Sequence, residues 1–244
     1  MSNIKQIILL IGINYINKPY QIRGSINDTI KLHEFFTQEG TSSKSITVMT
    51  DQTGGIYAPT KANIINQLNL IISSANSTTN PVNIFISYSG KGSAVNPSAI
   101  NNTGSIYPLD FETNGVITDN YIKQEFINKL YKNSNLVCLF DCCNIHSILE
   151  LKYEYTHNKL NKNINASNSI PACSVCAIYS CRTYRKEWNG ATTISFISNY
   201  YQGITYEYLL ESMQKWMILE KLNNIVYMAT SHFVDLDTTV FVPV

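Results

Sequence analysis

The chain has 244 residues, 44% of them hydrophobic and 14% charged, enough to bury a sizeable core in one large α/β domain or two small ones. Lysine and arginine total 18 against 17 acidic residues, a net charge of +1, so no charge excess argues for nucleic acid or a membrane surface as partner. The first apolar run, Ile7 to Ile13, is too short to span a bilayer and has no small-residue cleavage site after it, so a cytoplasmic protein is expected.

In chain order, Ile7 to Ile13 reads as a buried strand. A helix follows over Asn27 to Glu39, with Ile30, Leu32, Phe35 and Phe36 apolar and Gly40 placed to end it. Ile46 to Met49 is a second strand. Thr60 to Ser74 sets Ile64, Ile65, Leu68, Ile71 and Ile72 on one helical face, with Thr60 as N-cap. Val82 to Tyr88 is a third strand, and Gly92 to Ser105 a polar loop after it. Asp119 to Lys132 spaces Ile122, Phe126 and Leu130 by fours, predicting a helix ahead of a strand at Leu136 to Phe140. The stretch 152–171 is rich in Asn and Lys without clear periodicity and reads as a flexible linker. Beyond it come a strand at Ser174 to Tyr179, a helix at Thr205 to Lys221, and strands at Ile225 to Met228 and Thr239 to Val242, the last stopped by Pro243. Strands alternating with helices predict a doubly wound, mostly parallel sheet with helices on both faces.

Six cysteines are present, and Cys173-x-x-Cys176 followed by Cys181 resembles part of a zinc site, but no matching second pair completes it. Ordinary semi-buried thiols are the expectation. The run Ser89-Gly90-Lys91-Gly92-Ser93 invites a phosphate-loop reading, which fails because Phe85 stands where that motif needs glycine and Gly92 where it needs Ser or Thr. Ligands of open parallel sheets bind beyond the carboxyl ends of the strands. Three polar clusters fall there: Arg23 to Asp28, Ser89 to Gly92, and Asp141-Cys142-Cys143.

The segments IGINYINKPYQIRGSIND, FISYSGKGS, SIYPLDFETNGVITD and LFDCCNIHS resemble, in order, the first strand and loop, the histidine segment, its continuation and the nucleophile segment of the metacaspases, a caspase-like cysteine peptidase family. SHFVDLD resembles the family's closing segment. The resemblance implies a caspase-type doubly wound α/β fold, with 1–244 as a single caspase-like domain. Within it, 1–151 would be the larger part, 152–171 the linker and 172–244 the smaller part, with no prodomain ahead. It makes Cys143 the nucleophile and puts Lys91 where the family carries histidine. Position 143 lies 52 residues after position 91 (143 − 91), close to the roughly 50 expected in this class. Asp28, Ser89 and Asp141 match positions lining an acidic pocket for a substrate Arg or Lys. For Asp28, a carboxylate favoured by the first turn of a helix is an equal alternative.

The departures decide the functional expectation. A cysteine peptidase needs a group that takes a proton from the thiol and returns one to the leaving amine. Imidazole does both near neutrality, whereas an ordinary lysine, titrating near about 10.4, does so only if several kcal/mol are set against its ammonium. An ion pair between Lys91 and a pocket aspartate, plugging the site, is a further alternative. His33, His146, His157 and His232 have no motif support as replacements. Asp119 and Glu150 match two calcium-ligand positions of the family, but Asn120 replaces a carboxylate and the loop 92–105 has no acidic residue. No cofactor is required on this reading, and only weak calcium binding is left. The expectation is a metacaspase-like pseudopeptidase or severely impaired protease. Its partner would be a peptide or protein substrate-like ligand, another metacaspase included, with no nucleic acid, no membrane and a monomeric state. The alternative is an active endopeptidase cleaving after Arg or Lys with a Cys143–Lys91 pair, for which Lys152, Lys159 and Lys162 are natural self-processing sites.

Overall fold

The protein is described from a computed structural model, which covers residues 4–94, 104–142, 148–157, 159–162, 170–182 and 190–240. The opening apolar run forms β1 (Lys5–Gly12), and α1 (Ser25–Gln38) returns to β2 (Ile46–Thr50). Gly40 ends α1 with φ +90°, as its lack of a Cβ permits. α2 (Lys61–Asn76) starts at Thr60, whose side chain accepts the Asn63 N–H. It leads to β3 (Val82–Gly90). A small antiparallel sheet of β4 (Gly92–Ala94), β5 (Gly104–Ile106) and, past α3 (Phe111–Asn114), β6 (Ile117–Thr118) follows. Next come α4 (Asp119–Glu125), β7 (Ser134–Cys142), β8 (Tyr153–Thr156), β9 (Lys159–Lys162), β10 (Ser174–Arg182), α5 (Ala191–Asn199), α6 (Tyr206–Leu219) and β11 (Asn224–Thr230).

The main sheet has eight strands in the order β2-β1-β3-β7-β10-β11-β8-β9. The first five run parallel, and β11, β8 and β9 join by antiparallel pairing. Alternate side chains of the central strands enter separate cores. Leu9, Ile11, Ile84, Ile86 and Cys138 pack with α2 and α4 on one face, and Ile8, Leu10, Phe85, Val137 and Leu139 with α1, α5 and α6 on the other. This is why β1, β3 and β7 read as continuous apolar runs: neither face meets water. The expected caspase-type doubly wound α/β architecture is therefore observed.

Four local readings differ. Gly92 to Ser105, read as a polar loop, carries β4 at its start and the first residues of β5 at its end, paired antiparallel. The helix read over Asp119 to Lys132 ends at Glu125. Phe126 leaves helical geometry (φ −123°, ψ −65°) and a 3-10 turn, Ile127–Lys129, follows. Phe126 and Ile127 are both fully buried, and two successive residues cannot share one narrow helix face. The stretch 152–171, read as a linker, carries β8 and β9. Its Tyr-Glu-Tyr alternation buries Tyr155, whose hydroxyl donates to Val234 O (3.2 Å) and accepts the Val234 N–H (3.0 Å). Of the strand read at Thr239 to Val242 only residues 239 and 240 are described, and there a single bridge, Thr205 to Thr239, stands in place of a strand. The preceding backbone serves the start of α6 instead, where Tyr206 and Glu207 donate to Thr238 O and Leu236 O. These are amides that a helix leaves without an internal partner.

Among the described residues no helix is long and apolar enough to cross a membrane. Cys173 and Cys176 enter opposite cores of the sheet, so they cannot converge on one metal ion.

Candidate active site

The strand order reverses direction of growth between β1 and β3, the place where doubly wound sheets open a crevice at their carboxyl ends. The register sets Gly12, Ser89 and Asp141 side by side at that end, with Gly90 opposite Cys142 one step further. α1 must start close against β1, and Gly12 allows it, because a Cβ there would collide with Thr29 and the Ser25 carbonyl. That contact places Asp28, in the first turn of α1, above the strand ends.

Asp28 is 1% exposed, and its Oδ2 accepts the Ser89 hydroxyl at 2.8 Å. Asp141 Oδ2 accepts the Thr193 N–H at 2.8 Å, in the first turn of α5. A helix N-terminus favours that negative charge. Gly190, with φ +95°, closes the space between: a Cβ on it would run into the Asp28 carboxylate. Asp28, Ser89, Asp141, Gly190 and Thr193 thus form one cluster drawn from α1, β3, β7 and α5. Burial raises the Asp28 pKa from 3.8 to about 7, the Asp141 charge adds to the rise, and the Ser89 hydrogen bond and Lys31 oppose it. Asp141 is raised too, by burial first, against the hydrogen bonds it accepts from Thr193 and neighbouring amides. Two acidic groups thus share a buried space in which burial and their mutual repulsion favour the protonated forms.

Lys91 leaves the end of β3 held at its backbone. Its N–H donates to Tyr15 Oη (3.1 Å), and its carbonyl accepts the Tyr88 hydroxyl (2.6 Å) and the Tyr107 N–H (3.1 Å). Gly90 is needed for this turn, since a Cβ there would lie 2.7 Å from Tyr88 Oη. The half-buried Lys91 side chain carries its ammonium over two rings, 5.9 Å from the centroid of Tyr15 and 5.7 Å from that of Tyr20. Among the described residues it forms no ion pair with Asp28 or Asp141, so the plugged arrangement is not the one adopted. Cys143 and His146 lie outside the described residues. His33 sits on α1, and His157 and His232 are exposed.

Asp119 and Glu150 lie near one another, Glu150 adding to the burial that raises the Asp119 pKa to about 6. Asp119 already accepts the Gly104 N–H at 2.8 Å and the Asn120 N–H at 2.6 Å, one on each oxygen. Among the described residues no group of three or more acidic, His or Cys side chains converges to hold a metal. Calcium takes six to eight oxygens, several of them charged, and the described donors do not fit that set. Thr193, Gly190 and the ring pair under Lys91 carry no motif in the sequence. Only the Asn189-Gly190 step marked the turn into α5.

A family model described as metacaspase, peptidase C14 domain, matches residues 7–152. Metacaspase-1 of Candida albicans is 35% identical over 174 residues, 67% of this chain and 38% of its own length. Metacaspase-1 of Saccharomyces cerevisiae is 34% identical over 163 residues, 64% of this chain and 37% of its own length. For Metacaspase-1 of Plasmodium berghei the identity is 28% over 245 residues, 94% of this chain and 40% of that protein. The chain therefore spans about two fifths of the length of these relatives. A solved protein from Geobacter sulfurreducens shares the fold, with a TM-score of 0.66 at 14% identity over 98% of each chain.

Proposed function

The chain belongs to the metacaspase family of C14 peptidases, and from that premise we propose that it is a pseudopeptidase or severely impaired protease that binds peptides or a related protease. On this reading Lys91 occupies the family's histidine position and Cys143 the nucleophile position. The observation that carries it is the Lys91 ammonium lying over the rings of Tyr15 and Tyr20, together with the cluster of Asp28, Ser89 and Asp141 at the carboxyl ends of the same strands. Ring faces attract cations, and an ammonium has no lone pair with which to take the thiol proton. The acidic cluster would receive a substrate Arg or Lys, and Lys91 would leave the bound peptide uncut. Calcium is not required on this reading, and Asp119 with Glu150 would hold it weakly at most. The buried free thiols Cys138, Cys173 and Cys176 favour a reducing compartment, the cytoplasm. A monomer that meets another metacaspase as partner completes the proposal.

The intact acidic cluster also favours a second reading, an endopeptidase working with a Cys143–Lys91 pair. The deciding test compares turnover of Arg- and Lys-terminated fluorogenic peptides by wild type, Cys143→Ala and Lys91→His. A silent wild type and a Lys91→His variant that gains turnover support the pseudopeptidase. Wild-type turnover that vanishes in Cys143→Ala refutes it and makes the protein an enzyme. In that case purified protein also appears as two fragments, cut after Lys152, Lys159 or Lys162.

A further inference from the structure

Residue 91 depends on Tyr15 at both ends. The Lys91 backbone N–H rests on the Tyr15 hydroxyl, and the Lys91 ammonium rests on the Tyr15 ring, which meets Tyr20 edge-on at 5.7 Å. Tyr15 is itself held in an uncommon backbone state, φ +55°, which side chains with a Cβ avoid unless neighbours enforce it. The enforcement comes from Asp51, the residue just after β2. One carboxylate oxygen accepts the Asn14 N–H at 2.8 Å and the other the Ile16 N–H at 2.9 Å, the two amides that flank Tyr15. β2 is separated from β3 by β1, and the hydrogen bonds that lead from Asp51 to residue 91 run through this loop.

We propose that Asp51 is a positioning residue for the candidate active site, fixing the β1–α1 loop so that Tyr15 holds both the backbone and the cation of Lys91. The inference rests for its functional meaning on the reading given above, in which residue 91 is the altered catalytic position. Its geometry stands apart from turnover, and so does its test.

Lys91 side-chain protons near two ring faces resonate upfield of those of exposed lysines. Their signals are identified in carbon-13 lysine-labelled protein by their loss in Lys91→Arg. Asp51→Ala is expected to remove about half or more of that upfield displacement, because both rings beneath the ammonium, Tyr15 and Tyr20, belong to the loop that Asp51 fixes. Asp51→Asn retains one acceptor oxygen and should give an intermediate value, which keeps the test open if Asp51→Ala does not fold. The control is Thr205→Ala, which removes an N-cap of α6 on the opposite face of the sheet. It should lower the melting temperature and leave the Lys91 signals in place. Unmoved Lys91 signals in Asp51→Asn, or an equal movement in Thr205→Ala, would overturn the proposal. Peptide turnover by wild type would instead overturn the pseudopeptidase reading and leave this result standing.

Discussion

Asp28→Asn tests the electrostatics of the acidic cluster directly. In the folded protein Asp28 titrates at about 7 instead of 3.8, chiefly because it is buried. A carboxyl whose folded pKa is raised contributes stability that is full below the unfolded pKa and is lost as pH rises through the folded one. The loss runs at about 1.4 kcal/mol per pH unit between roughly 4 and 7, on the order of 4 kcal/mol in all. That total is an upper figure, because Asp141 titrates with it. Asparagine keeps the shape and can still accept the Ser89 hydroxyl, but it never carries charge. The variant should match wild type within about 1 kcal/mol near pH 4 and exceed it by up to about 4 kcal/mol at pH 8. Urea unfolding at pH 4, 5, 6, 7 and 8, followed by tryptophan fluorescence, measures the difference. A difference independent of pH, or a variant less stable than wild type at pH 8, would refute the argument that burial of an ionised Asp28 dominates.

Ser89→Ala removes the hydrogen bond that lowers the Asp28 pKa, so Asp28 should titrate above 7 when followed by carboxyl carbon-13 NMR. Gly190→Ala should destabilise by about 2 kcal/mol or more, since the backbone lies at φ +95° and the new methyl meets the Asp28 carboxylate; thermal melts show it. Tyr155→Phe removes the hydroxyl that bonds both the N–H and the carbonyl of Val234 and should cost about 1–3 kcal/mol in urea unfolding, whereas an exposed linker tyrosine would cost nothing measurable.

Much of the fold was legible because burial on both faces leaves its mark in β1, β3 and β7 as unbroken apolar runs, and Thr60 and Gly40 announced helix ends by ordinary capping chemistry. β8 escaped notice because only four residues alternate there, within a stretch whose Asn and Lys content reads as solvated chain. The acidic residues of the site were legible from their places after strands, Asp28 and Asp141 among them. Gly190 and Thr193 were not, since an amide donor has no sequence signature and a glycine's reason for being lies in what approaches it. Asp51 was invisible for the same cause: its role consists of two backbone amides in a loop distant in sequence. The Lys91–tyrosine contact needs three residues, 15, 20 and 91, whose meeting only the fold arranges.

The strand order carries one more consequence. β8 and β9 precede β10 in the chain but lie outside β11, which follows it, so the chain passes beyond its own later strands and then returns. A backbone cut anywhere between Lys162 and Ser174 would therefore leave two fragments whose strands alternate within one sheet, β10 and β11 seated between β7 and β8. One would grip the other at two seams, β7 on β10 and β8 on β11, with Tyr155 pinned to Val234 across the divide. Such a break is expected to show in a denaturing gel while the two strand pairings across it still join the fragments.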